Sequence, residues 1–586
     1  MPMLFQPGIG VNQTRLTRAR VCGRAGSCAS MERMNVKADG QVDAAPAGPA
    51  ASGGSFVVAG GILLSRLTGL VRERVFAQYF GTSLYADVFR AGLRMPNVLQ
   101  NLLGEGTLSA SFIPVYAELL EQGRQREAGR VAGAIFALLL AVAGTLALIG
   151  VLLAPVLVSV FLPGFSGERR ELSIAVTRIL FPMTGVLVLS AWSLGILNSH
   201  RRFFVPYVAP VLWNAAMIAT LVTLGGALSP DRLVVALAWG ALGGGALQFL
   251  VQLPWVLRLE RELRVAWGTR IAGVREAITN AGPAILGRGV VQVSGWIDMV
   301  LASFLATGAV AAIGYAQVLY MLPVSLFGMS VAAAELPELS RQRGEAAGVL
   351  RARTRAGLER VAFYVVPSFI GFVALGDVIV AAMYQTGEFD RFDTVVVYLT
   401  LCGYACGLLA TTASRLLAST YFALRDTRTP ARYAAVRVAM AAVLGAGLML
   451  QFEPIAPFGA GGPSLGPGVM GEARVGGQPL GAVGLALGAG IAAWIELVLL
   501  RRALVPRIGS VAFGAGLWLK MFGAAAAAAV AGWGIRMLLP ELHPVAAAAL
   551  ILSGFGAAYF GTSALAGVRE AREIVLRLPR LRPRTR

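Results

Sequence analysis

The sequence predicts an all-α polytopic membrane protein of about 14 transmembrane helices, built as two pseudo-symmetric six-helix lobes plus two C-terminal helices. Three observations lead there. Hydrophobic residues make up 56% of the 586 and charged residues only 14%, for a mean hydropathy of +0.69. Apolar runs of about twenty residues, enough to cross a bilayer as helix, recur along almost the whole chain and leave no room for a large soluble domain. These runs are continuous, whereas the strands of a membrane barrel would alternate.

Taken in order, residues 1–54 are rich in Arg, Ala and Gly and lack an apolar core, so they read as a disordered N-terminal extension and not as a signal peptide. From Ser55 onward the apolar runs place spans at 56–80, 86–121, 131–162, 172–198, 203–226, 233–257, 276–306, 309–340, 358–384, 394–424, 430–450, 480–500, 513–538 and 544–566. Their connections alternate in charge: one set, including the tail from Arg569, holds 29 Arg and the opposite set holds 5. By the positive-inside rule both termini are cytoplasmic, and the Gly/Pro-rich segment from Phe452 to Pro479 is an extracytoplasmic loop.

An internal repeat organises these spans. LRMPNVLQ, with Pro96, is echoed 227 residues later by LYMLPVSLF, with Pro323; LNSHRRFFVP, with Pro206, is echoed 224 residues later by FALRDTRTP, with Pro430. Nearly equal offsets predict that spans one to six are duplicated as seven to twelve, with spans one, two, seven and eight facing one another across a cavity. The expected domains are an N-lobe at 55–260, a C-lobe at 276–504, helices 13 and 14 at 513–566, and a basic tail at 567–586.

Span two is the most informative stretch. Asp87, Arg90, Arg94, Asn97, Asn101 and Glu105 follow one another by three, four, three, four and four residues, so they stay within about 80° of one helix face. A charge at the middle of a bilayer costs about 2.5 to 3.5 kcal/mol, so this stripe should face protein, water or a ligand, unless Asp87 and Glu105 simply end in headgroup water. Span one adds Arg66, Arg72 and Glu73. An excess of guanidinium groups over carboxylates predicts an anionic ligand rich in phosphate oxygens, gripped by Arg66, Arg72 and Arg94 with Arg90 as a helper. The alternative is internal pairing of Arg66 with Glu73 and of Arg90 with Asp87.

In the second half the corresponding stripe is nearly neutral, with Tyr315, Gln317 and Tyr320. On span seven Arg288, Gln292 and Asp298 share a face, and Arg288 is the candidate for the second lobe's cation at the cytoplasmic mouth. Asp298 paired with Arg437 or Arg288 is the simplest structural account of that group, and Glu496 has no evident partner.

Several function classes are disfavoured. His200 and His543 are the only histidines and the four cysteines form no metal-ligand pattern, so neither a metal nor another cofactor is expected. No P-loop, acidic metal-binding pair or nucleophile triad appears, which argues against an enzyme. The net charge of +20 lies mostly in short segments between apolar runs, so it reads as topology and not as a nucleic-acid footprint. Transport by alternating access fits these observations.

At residue level, SRLTGLVRE (Ser65 to Glu73), FGTSLYADVF (Phe80 to Phe89), MPN (Met95 to Asn97), GEGTLSASFIPVYAE (Gly104 to Glu118), LNSHRRFFVPYVAPVLWN (Leu197 to Asn214) and GPAILGRGV (Gly282 to Val290) resemble the MurJ (MviN) family of lipid II flippases. That family lies in the multidrug/oligosaccharidyl-lipid/polysaccharide exporter superfamily. The resemblance implies two six-helix lobes in a V around a cationic cavity, and two extra helices that help form a groove for a polyprenyl tail. It also implies a monomeric exporter of lipid II in the bacterial inner membrane, contacting membrane lipids and serving cell wall biogenesis. The family's first-span arginines fall on Arg66 and Arg72, its following acid on Glu73 and its second-span acids on Asp87 and Glu105. Two pairs depart from the pattern: Gln100 and Asn101 replace a frequent basic pair, and Gln317 and Val318 replace an acidic-basic pair. A drug exporter, a flippase for another polyprenyl-diphosphate-linked saccharide and a membrane glycosyltransferase are the competing readings; the arginine excess argues against the first and the lack of catalytic acids against the last.

Overall fold

The computed structural model describes residues 52–265, 271–329, 331, 335, 347–453, 474–475, 478–511 and 514–577. The expectations for the N-terminal extension, for most of the 452–479 loop and for the end of the basic tail lie outside the described residues.

Every expected span is met by helix among the described residues; most of 330–340, the end of the expected span 309–340, lies outside them. In the first half these are α1 (Ser52–Phe80), α2 (Leu84–Leu103) with α3 (Glu105–Glu121), α4 (Gln125–Leu152) with α5 (Ala154–Phe161), α6 (Gly167–Ser199), α7 (Phe204–Leu224) and α8 (Pro230–Leu259). In the second half they are α9 (Ala272–Ser303), α10 (Ala309–Pro323) continued by a π-helical segment (Val324–Met329), α11 (Ala347–Tyr384), α12 (Arg391–Ala405) with α13 (Leu408–Ala423), α14 (Arg428–Phe452) and α15 (Gly481–Ile508). Then come α16 (Ala515–Leu538), α17 (Pro544–Leu565) and the short α18 (Arg569–Arg577). A two-stranded antiparallel ribbon, β1 (Arg474–Val475) and β2 (Gln478–Pro479), is the only sheet among the described residues. Among the described residues ten helices are long and apolar enough to cross a membrane alone, and α12 with α13, bent by 40°, make an eleventh. The remaining expected spans, α1, α2 with α3, and α9, are the ones that carry the charged stripe and its neighbours.

Packing follows the two halves. In the first, α6 runs between α2, α4 and α8, and α7 joins α1 to α8; in the second, α15 packs on α12, α13 and α14. The α14–α15 contact is close because glycines line it: a Cβ on Gly484 would lie 2.7 Å from the Leu448 carbonyl, and one on Gly445 2.8 Å from a Leu485 methyl. Such small residues let spanning helices approach where lipid supplies no hydrophobic drive. Helices α16 and α17 pack on each other and on α11.

The backbone itself carries the repeat. Arg201 and Arg425, 224 positions apart, are the only non-glycine residues with positive φ among those described, at 58° and 59°. Each ends a spanning helix with the same bonds, Arg201 N–H to Asn198 and Arg202 N–H to Leu197, then Arg425 N–H to Phe422 and Asp426 N–H to Tyr421. Gly81 and Gly308, 227 apart, likewise share a left-handed turn after α1 and α9. These offsets are the two read from the proline markers.

Span two is broken where the sequence has Gly104. A Cβ there would collide with the Gln100 carbonyl, and α3 restarts at Glu105. A break inside a membrane leaves backbone groups that must be bonded internally, and the Thr107 hydroxyl supplies one bond, to the Leu102 carbonyl at 2.5 Å.

Candidate functional site

Between the halves lies a cavity of 620 Å³, lined from α1 by Arg66, Arg72 and Glu73, from α2 by Arg90, Arg94 and Asn97, and from α10 and the π segment by Gln317, Val318 and Ser325 among others. Four guanidinium groups thus face one carboxylate. The helix spacing explains the gathering: Arg66 and Glu73 are two turns apart on α1, and Arg90, Arg94 and Asn97 form one face of α2.

Glu73 is shared. Its two oxygens accept from Arg72 Nη2 at 2.6 Å and from Arg90 Nη2 at 2.7 Å, and the carboxylate is buried. Arg72 also donates to Asn214 Oδ1 at 3.1 Å and lies 5.0 Å from the centre of the Trp213 ring. Arg90 rests on Tyr315 at 4.0 Å and on Phe76 at 5.1 Å. Each arginine is therefore held in a planar, partly desolvated setting with donors left over, the arrangement that suits multidentate contact with phosphate oxygens. Arg66 reaches across to Ser325 Oγ at 3.0 Å, and Arg94 lies against α9, where a Cβ on Gly295 would be 3.3 Å from its Nη2. Neither Arg66 nor Arg94 is in an ion pair among the described residues.

The other expected residues scatter. Asp87 does not line the cavity and does not pair with Arg90: it is fully buried, 2.7 Å from Arg169 Nη2, and accepts the backbone N–H groups of Gly308 and Ala311 at 2.7 Å each. The N–H groups at the start of α10 have no partner within their own helix and take the carboxylate, while Arg90 is engaged by Glu73. Glu105, Gln100 and Asn101 line a separate cavity around the α2–α3 break, and Asn101 Nδ2 donates to Gln292 Oε1 at 3.3 Å. Gln317 does line the arginine cavity and donates to the Tyr404 hydroxyl at 3.0 Å. Asp298 lies within electrostatic reach of Arg94 and Arg437. Arg288 sits on α9, but its side chain lies outside the described residues. Glu496 has a partner after all, Arg437 Nε at 3.4 Å, because α14 and α15 are adjacent. Of the four spans expected around the cavity, one, two and eight supply its wall; contrary to expectation seven contributes no lining residue among those described, its Gly295 lying behind Arg94.

Reading the sequence did not single out Asn214, Trp213, Ser325 or Arg169. Asn214, a polar residue in the apolar run of α7, carried the only usable signal.

At the face where α1 ends and α2 begins, the halves are joined. Arg169, besides Asp87, donates to the Leu305 carbonyl at 3.4 Å; Glu453, which accepts the Ala306 N–H at 2.6 Å within the second half, lies within electrostatic reach of Arg169; Thr82 bonds to Asp393 through its hydroxyl. Arg74 donates to the carbonyls of Ala382 and Met383 at 2.6 and 3.2 Å, at the end of α11. On the flank of the molecule an apolar groove of 340 Å³ runs between the π segment, α11 and α17, lined by residues such as Phe327, Tyr364, Pro367, Phe555 and Tyr559.

A family model described as "Lipid II flippase MurJ" matches residues 76–460. A lipid II flippase MurJ of Burkholderia cenocepacia is 33% identical over 384 residues, 64% of this chain and 74% of the relative. A probable lipid II flippase MurJ of Vibrio cholerae is 32% identical, over 67% of this chain and 76% of the relative. Among solved structures, a lipid II flippase MurJ in an inward closed conformation aligns with a TM-score of 0.70 at 21% identity, covering 89% of this chain and all of that one. An inward-facing multidrug resistance MATE transporter aligns with a TM-score of 0.59 at 17% identity, covering 78% and 98%.

Proposed function

This chain belongs to the MurJ family of lipid II flippases, and we infer that it carries lipid II from the cytoplasmic to the outer leaflet by alternating access, as a transporter and not a catalyst. The single observation that best supports a lipid diphosphate as its cargo is the inter-half cavity, in which four arginines outnumber one carboxylate. A diphosphate carries anionic oxygens on two adjacent phosphorus atoms, and several planar guanidinium groups at fixed positions can bond them together. A cationic drug would meet the wrong sign there.

In this reading Arg66, Arg72 and Arg94 grip the diphosphate, Arg90 helps, Glu73 sets the distance between Arg72 and Arg90, and Asn97 and Gln317 complete the wall. The polyprenyl tail lies in the apolar groove beside α17. The lobes 55–260 and 276–504 move as the two bodies, helices 13 and 14 at 513–566 accompany the second, and a monomer suffices. Both termini are cytoplasmic in the bacterial inner membrane, so the joined face is the outer one and the cavity loads from the cytoplasm. The arginine bias between connections supports this orientation.

The test is genetic. Arg66→Ala and Arg72→Ala should each abolish complementation of a flippase-depleted cell while the protein still reaches the membrane in normal amount, and lipid II should accumulate on the cytoplasmic leaflet. Normal growth with either variant rejects the assignment of these arginines.

A further inference from the structure

The polar stripe of span two continues past the arginine cavity. Beyond Asn97 it enters a second cavity of 510 Å³, lined by Gln100, Asn101, Glu105, Gly106 and Ser109. The two cavities differ in charge among the described residues: the first has four cations and one acid, the second no cation, one acid, two amides and one hydroxyl.

Among the described residues, little uses these groups up. The backbone at the α2–α3 break is served by Thr107 and by the bond from Gly104 N–H to Gln100 at 2.8 Å. The side chains of Gln100, Glu105 and Ser109 make no hydrogen bond among the described residues, and Asn101 spends one amide hydrogen on Gln292. A carboxylate and an amide with no partner among the described residues are costly in a spanning helix unless water or a ligand meets them. Glu105 lies eleven residues beyond Arg94, about 16 Å along the helix, so a ligand held at the arginines by one end would need a polar portion of about that length to reach it.

A lipid-linked saccharide peptide has that form. Its diphosphate adjoins the lipid; next come sugars bearing neutral hydroxyl and acetamido groups, then a peptide that carries a free ammonium group. We propose that the cavity at the break of span two is a headgroup subsite, separate from the diphosphate site: Gln100 and Asn101 bond sugar hydroxyl and acetamido groups, and Glu105 takes the peptide ammonium. This rests on the flippase reading given above and divides its substrate between two neighbouring cavities.

The experiment measures binding of three ligands to the full chain in lipid nanodiscs: undecaprenyl diphosphate, lipid II, and lipid II whose peptide amine is acetylated. Glu105→Gln should weaken lipid II about tenfold and undecaprenyl diphosphate less than twofold, and the unmodified chain should bind acetylated lipid II about tenfold more weakly than lipid II. Gln100→Leu, which leaves the carboxylate in place, should weaken both lipid II forms alike and spare undecaprenyl diphosphate. Equal losses for lipid II and undecaprenyl diphosphate, or undiminished lipid II binding in both variants, overturn the subsite; undiminished binding of acetylated lipid II overturns the ammonium contact. An Arg66→Ala chain that holds undecaprenyl diphosphate at full strength would instead count against the arginine site, which separates the two failures.

Discussion

Arg72 shows how a single guanidinium is held in place at the cavity wall. Glu73, Asn214 and the Trp213 ring hold it from three sides, and the Trp213 indole is itself fixed by a bond to the Ala241 carbonyl at 3.1 Å. Asn214 is buried on α7 and also turns its amide toward the Thr68 hydroxyl at 3.4 Å, so it ties α7 to α1 at the level of the cavity. A hydrogen bond to a charged group contributes about 1.5 to 3 kcal/mol. Asn214→Leu should therefore slow lipid II translocation in proteoliposomes by tenfold or more at limiting substrate, through a rise in the half-saturating concentration. Unchanged half-saturation would show that Arg72 finds its position without Asn214.

At the scale of elements, the helix starts outside the hydrocarbon region carry pH sensitivity. Asp426, just before α14, accepts the N–H groups of Arg428 and Thr429 at 3.0 Å each and the Thr429 hydroxyl at 2.6 Å, and pairs with Arg507 at 2.7 Å. Those Thr429 bonds, then Arg507, lower its carboxyl from the ordinary 3.8 to about 2. A carboxyl lowered by folding adds stability that is complete above its unfolded value of 3.8 and is lost as pH falls toward about 2. Asp426→Ala should cost about 1 kcal/mol as a lost helix cap near neutral pH. The difference in unfolding temperature between the two chains should shrink on acidification from about pH 5 to about pH 2.5; a gap that stays constant would mean the carboxyl is not the source.

For the whole molecule, the joined face is where the two halves are bonded to each other. Asp87 and Arg169 are both buried, and α10 begins on the same carboxylate, so three elements meet at one group. Removing one partner of a buried pair costs about 3 to 5 kcal/mol because the other charge is left uncompensated. Asp87→Asn should thus shift the equilibrium toward the state open at that face. Spin labels at Glu168 and Thr307, both exposed there on opposite halves, should report a longer distance population in the variant. An unchanged distribution would place the latch elsewhere, with Asp393 and Glu453 the next groups to test.

Hydropathy, arginine bias and two proline markers were enough to read the helical class, every span and the duplication, because lipid imposes length and composition on each spanning helix whatever its neighbours. Helical spacing likewise brought Arg66, Glu73, Arg90, Arg94 and Asn97 to the right faces of their own helices. What one helix cannot state is which partner a side chain meets on another. The pairing of Glu496 with Arg437, the sharing of Glu73 by two arginines and the placing of Asn214 beside Arg72 each join residues far apart in the chain. Asp87 and Glu105 sit on one stripe by periodicity, yet the fold sends the first to the start of α10 and the second to a separate cavity. The sequence by itself determined the excess of cations on spans one and two, from which an anionic ligand is expected; only the packing of helices decided which of those cations face the cavity and which acids hold the halves together, because contact depends on distances across helices and not along them.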